Sequence, residues 1–227
     1  MFSGSYLALI VVTLVIGMGA TWYVNHQLKK HTRIASASGF TGAQMAQHML
    51  SYHGVTGVSI RMGRPEENHF DPRDNSITLD PEAYRGSSVT SIATACHEVG
   101  HACQFAEGYA PMKIRGAMVP AVNLASNAWM FLLIAGIVIA ASSPYLGDGL
   151  VTLSIVLYAL VVLFHLVTLP VEFDASRRAL AYISNVGAPQ DEQSGASSVL
   201  RACAFTYVAA ALTSILQLLW LLGQRDE

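Results

Sequence analysis

Charged residues are scarce in this chain. Asp, Glu, Lys and Arg make up 12% of its 227 residues, whereas 52% of the residues are hydrophobic. Ordinary soluble domains carry about 25% charged residues, so this composition argues against a typical soluble globular protein. The formal net charge is −2. A nucleic-acid partner is therefore not expected, because phosphate binding needs a concentrated basic surface.

Cysteine is also rare, with three residues, Cys96, Cys103 and Cys203. An odd number argues against a disulfide framework, and no Cys-x-x-Cys spacing indicates a closed structural zinc site. This usage suits a reducing compartment or the bilayer. We interpret the three thiols as small buried packing residues.

The hydrophobic residues are concentrated in four segments that almost lack charge. Each has about 20 residues and is long enough to cross a hydrocarbon core of about 30 Å as a helix. The segments are Tyr6–Val24, Ala121–Ser143, Leu150–Leu169 and Ala202–Leu222. The sequence therefore predicts a mainly α-helical polytopic membrane protein with four transmembrane helices and a small cytoplasmic α+β unit.

The basic residues predict the orientation of these helices. Lys29, Lys30 and Arg33 follow the first apolar segment, and no basic residue precedes it. This order indicates a retained anchor (residues 1–24) with its N-terminus outside, and not a signal peptide. Residues 25–120 would then be cytoplasmic, and residues 121–222 would form three further helices. Their outer turn is predicted at residues 144–149 and their cytoplasmic segment at residues 171–198.

Local signals predict the elements of the cytoplasmic unit. Helix caps and short β-rich runs bounded by turn residues are the signals used. They predict a helix from the capping box Thr41–Gln44 to Gly54, strands at Gly57–Met62 and Ser76–Leu79, and a helix capped by Ser87 or Ser88 and running to about Ala106.

The last of these helices carries the motif HEVGH, residues 97–101. His97 and His101 are four residues apart, so both imidazoles lie on one helix face and can hold the same ion. Zinc in such a site polarises a scissile carbonyl and lowers the pKa of water toward about 7. Glu98 lies beside that face without being a ligand. We expect it to act as the general base and then as the proton donor.

Three acidic residues are candidates for the third ligand. Glu107 has metzincin-like spacing, but Gln104 stands where that pattern needs glycine. Asp148 falls on the opposite side of the membrane in the predicted topology. Glu172 emerges on the same side as the motif, at the end of the third apolar segment. We therefore predict one Zn²⁺ per chain, bound by His97, His101 and Glu172, with one coordination position left open.

Three stretches of the chain are similar to a known family. They read DPRDNSITLDPEAYRGSSVTSIATACHEVGHACQ, LPVEFDASRRAL and VLRACAFTYVAAALTSIL. In these stretches the chain resembles the YugP-type neutral zinc metallopeptidases of bacterial membranes. The resemblance implies a gluzincin-like, multi-pass peptidase of the bacterial inner membrane, with the ligands and base named above. More distant relatives, the HtpX-type and CAAX prenyl proteases, place an aspartate four residues after the ligand glutamate to orient a zinc-bound histidine. Here that position is Ser176, so Ser176 and Asp174 are both candidates for the role.

Further residues are candidates for roles around the zinc. A strand can bind substrate as an added strand, and some donor should stabilise the oxyanion. The candidate edge strand for substrate is Ser76, Ile77, Thr78 and Leu79, and the candidate oxyanion donors are Arg177, Arg178 and Tyr182. His165, inside the third apolar segment and seven residues before Glu172, is a candidate for a supporting role or a packed histidine. The strand could equally be purely structural, and the arginines could be interfacial anchors.

Together these features predict a membrane-bound, zinc-dependent endopeptidase. Its expected substrates are membrane-associated or misfolded proteins, because the site should lie close to the inner bilayer surface. One alternative is an intramembrane site-2-type protease with the motif inside the bilayer. The other is a non-catalytic membrane scaffold or chaperone that binds zinc structurally. Glu98 argues against the scaffold, since a structural zinc site does not require that carboxylate.

Overall fold

The computed structural model describes residues 4–224, and most of them are helical. In chain order the elements are α1 (Gly4–Thr32), α2 (Gly42–Tyr52), β1 (Ser59–Met62), β2 (His69–Asp71), β3 (Ser76–Leu79), α3 (Pro81–Arg85), α4 (Val89–Glu107), α5 (Ala110–Ala140), α6 (Pro144–Asn185) and α7 (Gln190–Gly223).

Four of these helices are long and apolar enough to cross a membrane. They are α1, α5, α6 and α7, with 29, 31, 42 and 34 residues, and each contains one of the four predicted segments. All four continue beyond the apolar run that predicted them. The predicted outer turn at residues 144–149 is wrong in detail, because α6 already begins at Pro144 and only residues 141–143 connect it to α5. Proline is well suited to the first turn of a helix, where its missing N–H has no partner to lose.

The chain divides into two compact units. The first contains the described residues up to Met18, Ile114–Leu169, and the described residues from Tyr207 onward. A small cluster of buried side chains holds it together: Ile155, Tyr158, Val162 and Leu221. Large apolar side chains such as Phe131 (75% exposed) and Leu124 (69%) cover its outside. A water-soluble surface rarely carries so many exposed apolar groups, whereas a lipid-facing surface requires them.

The second unit contains Gly19–Lys113 and Pro170–Thr206. Its core is larger and includes completely buried side chains from α2, the sheet, α4, α6 and α7. Examples are Met49, Ile77, Val99, Ile183 and Val199. Local signals read from the sequence define its helices. The Thr41 capping box begins α2, Ser88 accepts a hydrogen bond from the Ser91 N–H at the start of α4, and Gly108 ends α4 in the left-handed conformation.

The sheet corrects one sequence-based expectation. Its strand order is β1-β3-β2, with β1 parallel and β2 antiparallel to β3. The predicted edge strand, made of Ser76, Ile77, Thr78 and Leu79, is therefore the central strand, and all four of its residues are buried. A strand with hydrogen-bonded neighbours on both sides cannot accept a substrate as a third neighbour. The strand that covers its second side, β2, has only three residues, which are too few for their alternation to indicate a strand in the sequence.

Candidate metal centre

Helices α4 and α6 bring three side chains together. His97 and His101 lie on one face of α4, with ring centroids 4.7 Å apart. Both imidazoles direct Nε2 toward the same carboxylate oxygen of Glu172, on α6. Glu172 Oε2 lies 3.2 Å from His97 Nε2 and 3.6 Å from His101 Nε2. These are the three residues predicted as ligands. Within residues 4–224 no other group of three His, Cys, Asp or Glu side chains could hold a metal ion.

The spacing of these three atoms fits zinc. Tetrahedral zinc with bonds of about 2.0–2.1 Å to nitrogen and oxygen holds neighbouring ligand atoms about 3.3 Å apart. The distances of 3.2 and 3.6 Å bracket this value. Two neutral imidazoles and one carboxylate also form a donor set that catalytic zinc uses, with one position left for water or substrate. The donor set and these two distances therefore fit a zinc ion bound between the three side chains.

Burial and charge both favour a cation here. Glu98, His101 and Glu172 are all buried, with exposed fractions of 6%, 7% and 2%. Burial alone would lower the pKa of His101, but its hydrogen bond with Glu172 and the negative charge of Glu98 raise that pKa overall. The same negative potential stabilises a bound divalent cation. Two buried carboxylates would be costly without a positive partner, which makes this arrangement hard to explain as packing alone.

Glu98 lies next to the three candidate ligands and is not one of them. It follows His97 on α4 and lies within electrostatic range of His101. Among the described residues no side-chain or backbone donor occupies its carboxylate oxygens with a hydrogen bond. A proton-accepting role for Glu98 stays a prediction.

Gly100 explains how closely the two helices approach. A Cβ at this position would lie 2.7 Å from the backbone oxygen of Ala175 and 3.0 Å from its Cα. Glycine in a helix costs about 1 kcal/mol relative to alanine. That cost is offset here because α6 packs directly on the backbone of α4. Gly100 lies between His97 and His101 in sequence, and Ala175 lies between Glu172 and Ser176. The contact between Gly100 and Ala175 therefore sets the distance across the metal site.

In each histidine, the ring nitrogen Nδ1 contacts a side-chain oxygen of a nearby residue. Ser176 Oγ lies 3.2 Å from His97 Nδ1, and Gln104 Oε1 lies 3.1 Å from His101 Nδ1. The Gln104 oxygen can only accept, so His101 donates from Nδ1 and its Nε2 is left to bind a metal. The Ser176 hydroxyl can accept from His97 Nδ1 in the same way. Ser176 occupies the position predicted from the resemblance. Gln104 was not predicted, and its one sequence signal is a polar residue three positions after His101 between the apolar neighbours Cys103 and Phe105.

The remaining candidates are placed as follows. Asp174 contacts Gln104 and both neighbouring arginines, Arg177 and Arg178. Arg178 also donates to Glu107 at 2.7 Å. This bond holds the pKa of Glu107 below its usual value, and Glu107 is not part of the ligand group.

Tyr182 and His165 do not join these contacts. Tyr182 is buried, with its hydroxyl 2.6 Å from His48 Nδ1. His165 and Asp148 belong to the first unit. Oxyanion stabilisation by Arg177, Arg178 or Tyr182, and a supporting role for His165, stay predictions.

Comparison with known proteins agrees with this centre. Residues 6–225 match the model of a family described as "Putative neutral zinc metallopeptidase". The chain belongs to this family. The neutral zinc metallopeptidase family is the one that the sequence resembles, so that prediction is confirmed. A curated relative is the "Putative membrane protease YugP" of Bacillus subtilis (strain 168). It is 35% identical over 228 residues, covering 98% of this chain and 99% of the relative. No solved structure matches this member of the family.

Proposed function

We propose that the chain is a membrane-bound zinc endopeptidase that hydrolyses peptide bonds. The observation that carries this proposal is the preformed triangle of His97, His101 and Glu172 beside the buried, unpaired carboxylate of Glu98. Family membership and the name of the Bacillus relative support the same activity. A structural zinc site would be closed by a fourth protein ligand, whereas this triangle leaves a position open.

The side chains divide the reaction between them. When bound, zinc would polarise the scissile carbonyl and make a water molecule a better nucleophile. Glu98 accepts the proton of the attacking water and then delivers it to the leaving amine. Ser176 and Gln104 contact the Nδ1 atoms of His97 and His101 and hold the two rings in orientation.

The proposed substrates are membrane-associated or misfolded proteins. Four helices are apolar enough to hold the chain in a membrane, and the basic residues after α1 favour a cytoplasmic position for the site. We place the protein in the bacterial inner membrane with its N-terminus outside. Because β3 is central, an extended substrate that pairs with the sheet has to use β1 or β2.

Replacement of Glu98 by glutamine tests the reaction. The Glu98→Gln protein, purified in detergent, should retain zinc, because Glu98 is not a ligand. It should cleave casein or a membrane-derived peptide about 10²–10⁴-fold more slowly than the wild type, since the proton acceptor is lost. Glu82→Gln is the matched control, because Glu82 lies on the surface in α3. Wild-type cleavage by Glu98→Gln would contradict the proposed mechanism. A zinc-loaded wild type that cleaves no peptide at all would favour the scaffold alternative.

A further inference from the structure

Gln104 is a buried polar residue of α4 that lies outside the zinc motif. Its side chain is completely buried, and it lies one helical turn beyond His101, on α4. Burying an amide is unfavourable unless all of its hydrogen-bonding groups are satisfied. The three partners of this amide are therefore informative.

These partners define the orientation of the amide. Gln104 Nε2 lies 2.8 Å from the backbone oxygen of Val171 and 3.0 Å from Asp174 Oδ2. Both partners are acceptors, so the nitrogen has to be at that end. The amide oxygen then faces His101 Nδ1 at 3.1 Å. Because that oxygen can only accept, His101 carries a proton on Nδ1, which leaves Nε2 as the ring nitrogen that can bind a metal.

Asp174 connects this amide to a charged cluster. Its carboxylate is buried, with 5% exposure. It accepts hydrogen bonds from Arg177, from Arg178 at 2.6 Å and from Gln104. Arg178 is held in turn by Glu107, the last residue of α4. Asp174 is thereby fixed in position beside two arginines and close to the metal centre, without touching a histidine.

We propose that Gln104 is a positioning residue that relays the charge of Asp174 to His101. The inference rests on the proposed zinc site and adds to it. An N–H bonded to a carboxylate polarises its amide, so the carbonyl at the other end becomes a stronger acceptor. A stronger acceptor at Nδ1 makes Nε2 of His101 a better zinc ligand. His97 has no such relay, because Ser176 provides only a neutral hydroxyl.

Zinc affinity is the readout that tests this relay. All variants are made in the full-length, detergent-purified Glu98→Gln protein, so the result does not depend on whether the chain is a peptidase. Gln104→Met keeps the length of the side chain but has no amide. It should bind zinc about 10–100-fold more weakly in competition with a chelator. The visible absorption of Co²⁺ bound in place of zinc should also change, because the orientation of His101 is lost. Gln47→Met, on the exposed face of α2, should leave both measurements unchanged.

A double-mutant cycle separates a relay from general destabilisation. Asp174→Asn should weaken zinc binding about tenfold when Gln104 is present. In Gln104→Met it should weaken binding less than about twofold, because the hydrogen-bonded connection between Asp174 and His101 is already absent. Ser176→Ala acts on His97, so its effect should be the same in both backgrounds. Wild-type zinc affinity in Gln104→Met overturns the proposal. An undiminished effect of Asp174→Asn in Gln104→Met also overturns it. If Gln104→Met does not fold, Asp174→Asn alone tests the relay. Wild-type zinc affinity and an unchanged Co²⁺ spectrum in Asp174→Asn would then overturn the proposal.

Discussion

The two units of this chain use their helices in opposite ways. In the first unit the helices present apolar side chains outward and pack through small residues. One example is Gly136, where a Cβ would lie 2.8 Å from Val151 Cγ2 and 2.9 Å from the Gly147 backbone oxygen. In the second unit the helices bury polar and charged side chains, and most of these contact a specific partner. The buried set includes His101, Gln104, Glu172 and Asp174.

This difference separates the energetic requirements of lipid-facing helices from those of a buried polar site. Any hydrocarbon environment accommodates exposed apolar side chains. The first unit therefore needs few specific side-chain contacts beyond close packing of its helix backbones. A buried carboxylate needs a particular partner at a particular distance. Substitutions in the second unit should therefore affect zinc binding, and matched substitutions in the first unit should not.

The largest expected effect is on zinc affinity, and the test compares one acidic residue from each unit. Glu172→Ala removes one of three ligands and leaves two histidines, so zinc affinity should fall by about three orders of magnitude. Asp148→Asn, in the first unit, should retain wild-type affinity. Both are measured by chelator competition. Wild-type affinity in Glu172→Ala would exclude it as a ligand, and a large loss in Asp148→Asn would break the distinction between the units.

A second pair compares the close-contact glycines. Gly100→Ala pushes a methyl group into the backbone of Ala175, so it should lower the free energy of unfolding by about 1–3 kcal/mol and weaken zinc binding at least tenfold. Gly136→Ala meets a comparable clash in the first unit. It should lower stability without changing zinc affinity. Thermal unfolding and chelator competition measure the two effects separately. Equal zinc affinity in both variants would contradict the role given to the Gly100 contact.

Accessibility labelling tests the predicted sides of the membrane. Thr56→Cys lies on an exposed loop of the second unit, and Tyr145 is 93% exposed at the start of α6. In intact cells without an outer-membrane barrier, an impermeant thiol reagent should label Tyr145→Cys and leave Thr56→Cys unlabelled until the cells are lysed. The native Cys96 and Cys103 are buried and poorly reactive, because burial raises the pKa of each thiol. Labelling of Thr56→Cys from outside would reverse the topology.

The smallest expected effect is at an ion pair on the surface of the second unit. Hydrogen bonds from Arg73 lower the pKa of Asp71 from 3.8 to about 2. A lowered pKa means that the ionised form is stabilised on folding. This contribution is therefore complete above about pH 4 and is lost as the pH falls toward 2. Arg73 is largely exposed, so Asp71→Asn should cost less than about 1 kcal/mol at pH 7. The thermal stabilities of variant and wild type should converge on acidification, and a constant difference down to pH 2 would contradict this assignment.

Much of the fold could be predicted because its signals are local. The four apolar runs, the Thr41 capping box, the Ser88 cap and Gly108 each depend on residues within one or two helical turns. The lengths of the helices could not be predicted as well. Pro170 and the polar residues after it lie inside α6, where tertiary packing maintains a helix that the composition alone would end.

The sheet shows where local reasoning fails. β3 was predicted with the observed boundaries, but its place in the sheet was wrong. The position of a strand depends on which neighbours pair with it, and β2 lies too close to turn residues to be recognised. A strand can thus be predicted from its own residues, whereas the strands that pair with it cannot.

The sequence by itself determined the chemistry of the metal centre. Two histidines four residues apart on a helix must share a face, and the family resemblance and charge pattern selected Glu172 as their partner. Only the tertiary structure decided how these ligands are supported. The contact of Gly100 with Ala175, the hydroxyl of Ser176 behind His97 and the amide of Gln104 between His101 and Asp174 all join α4 to α6. Such contacts connect residues about 70 or more positions apart, and no local pattern encodes the distance between two helices.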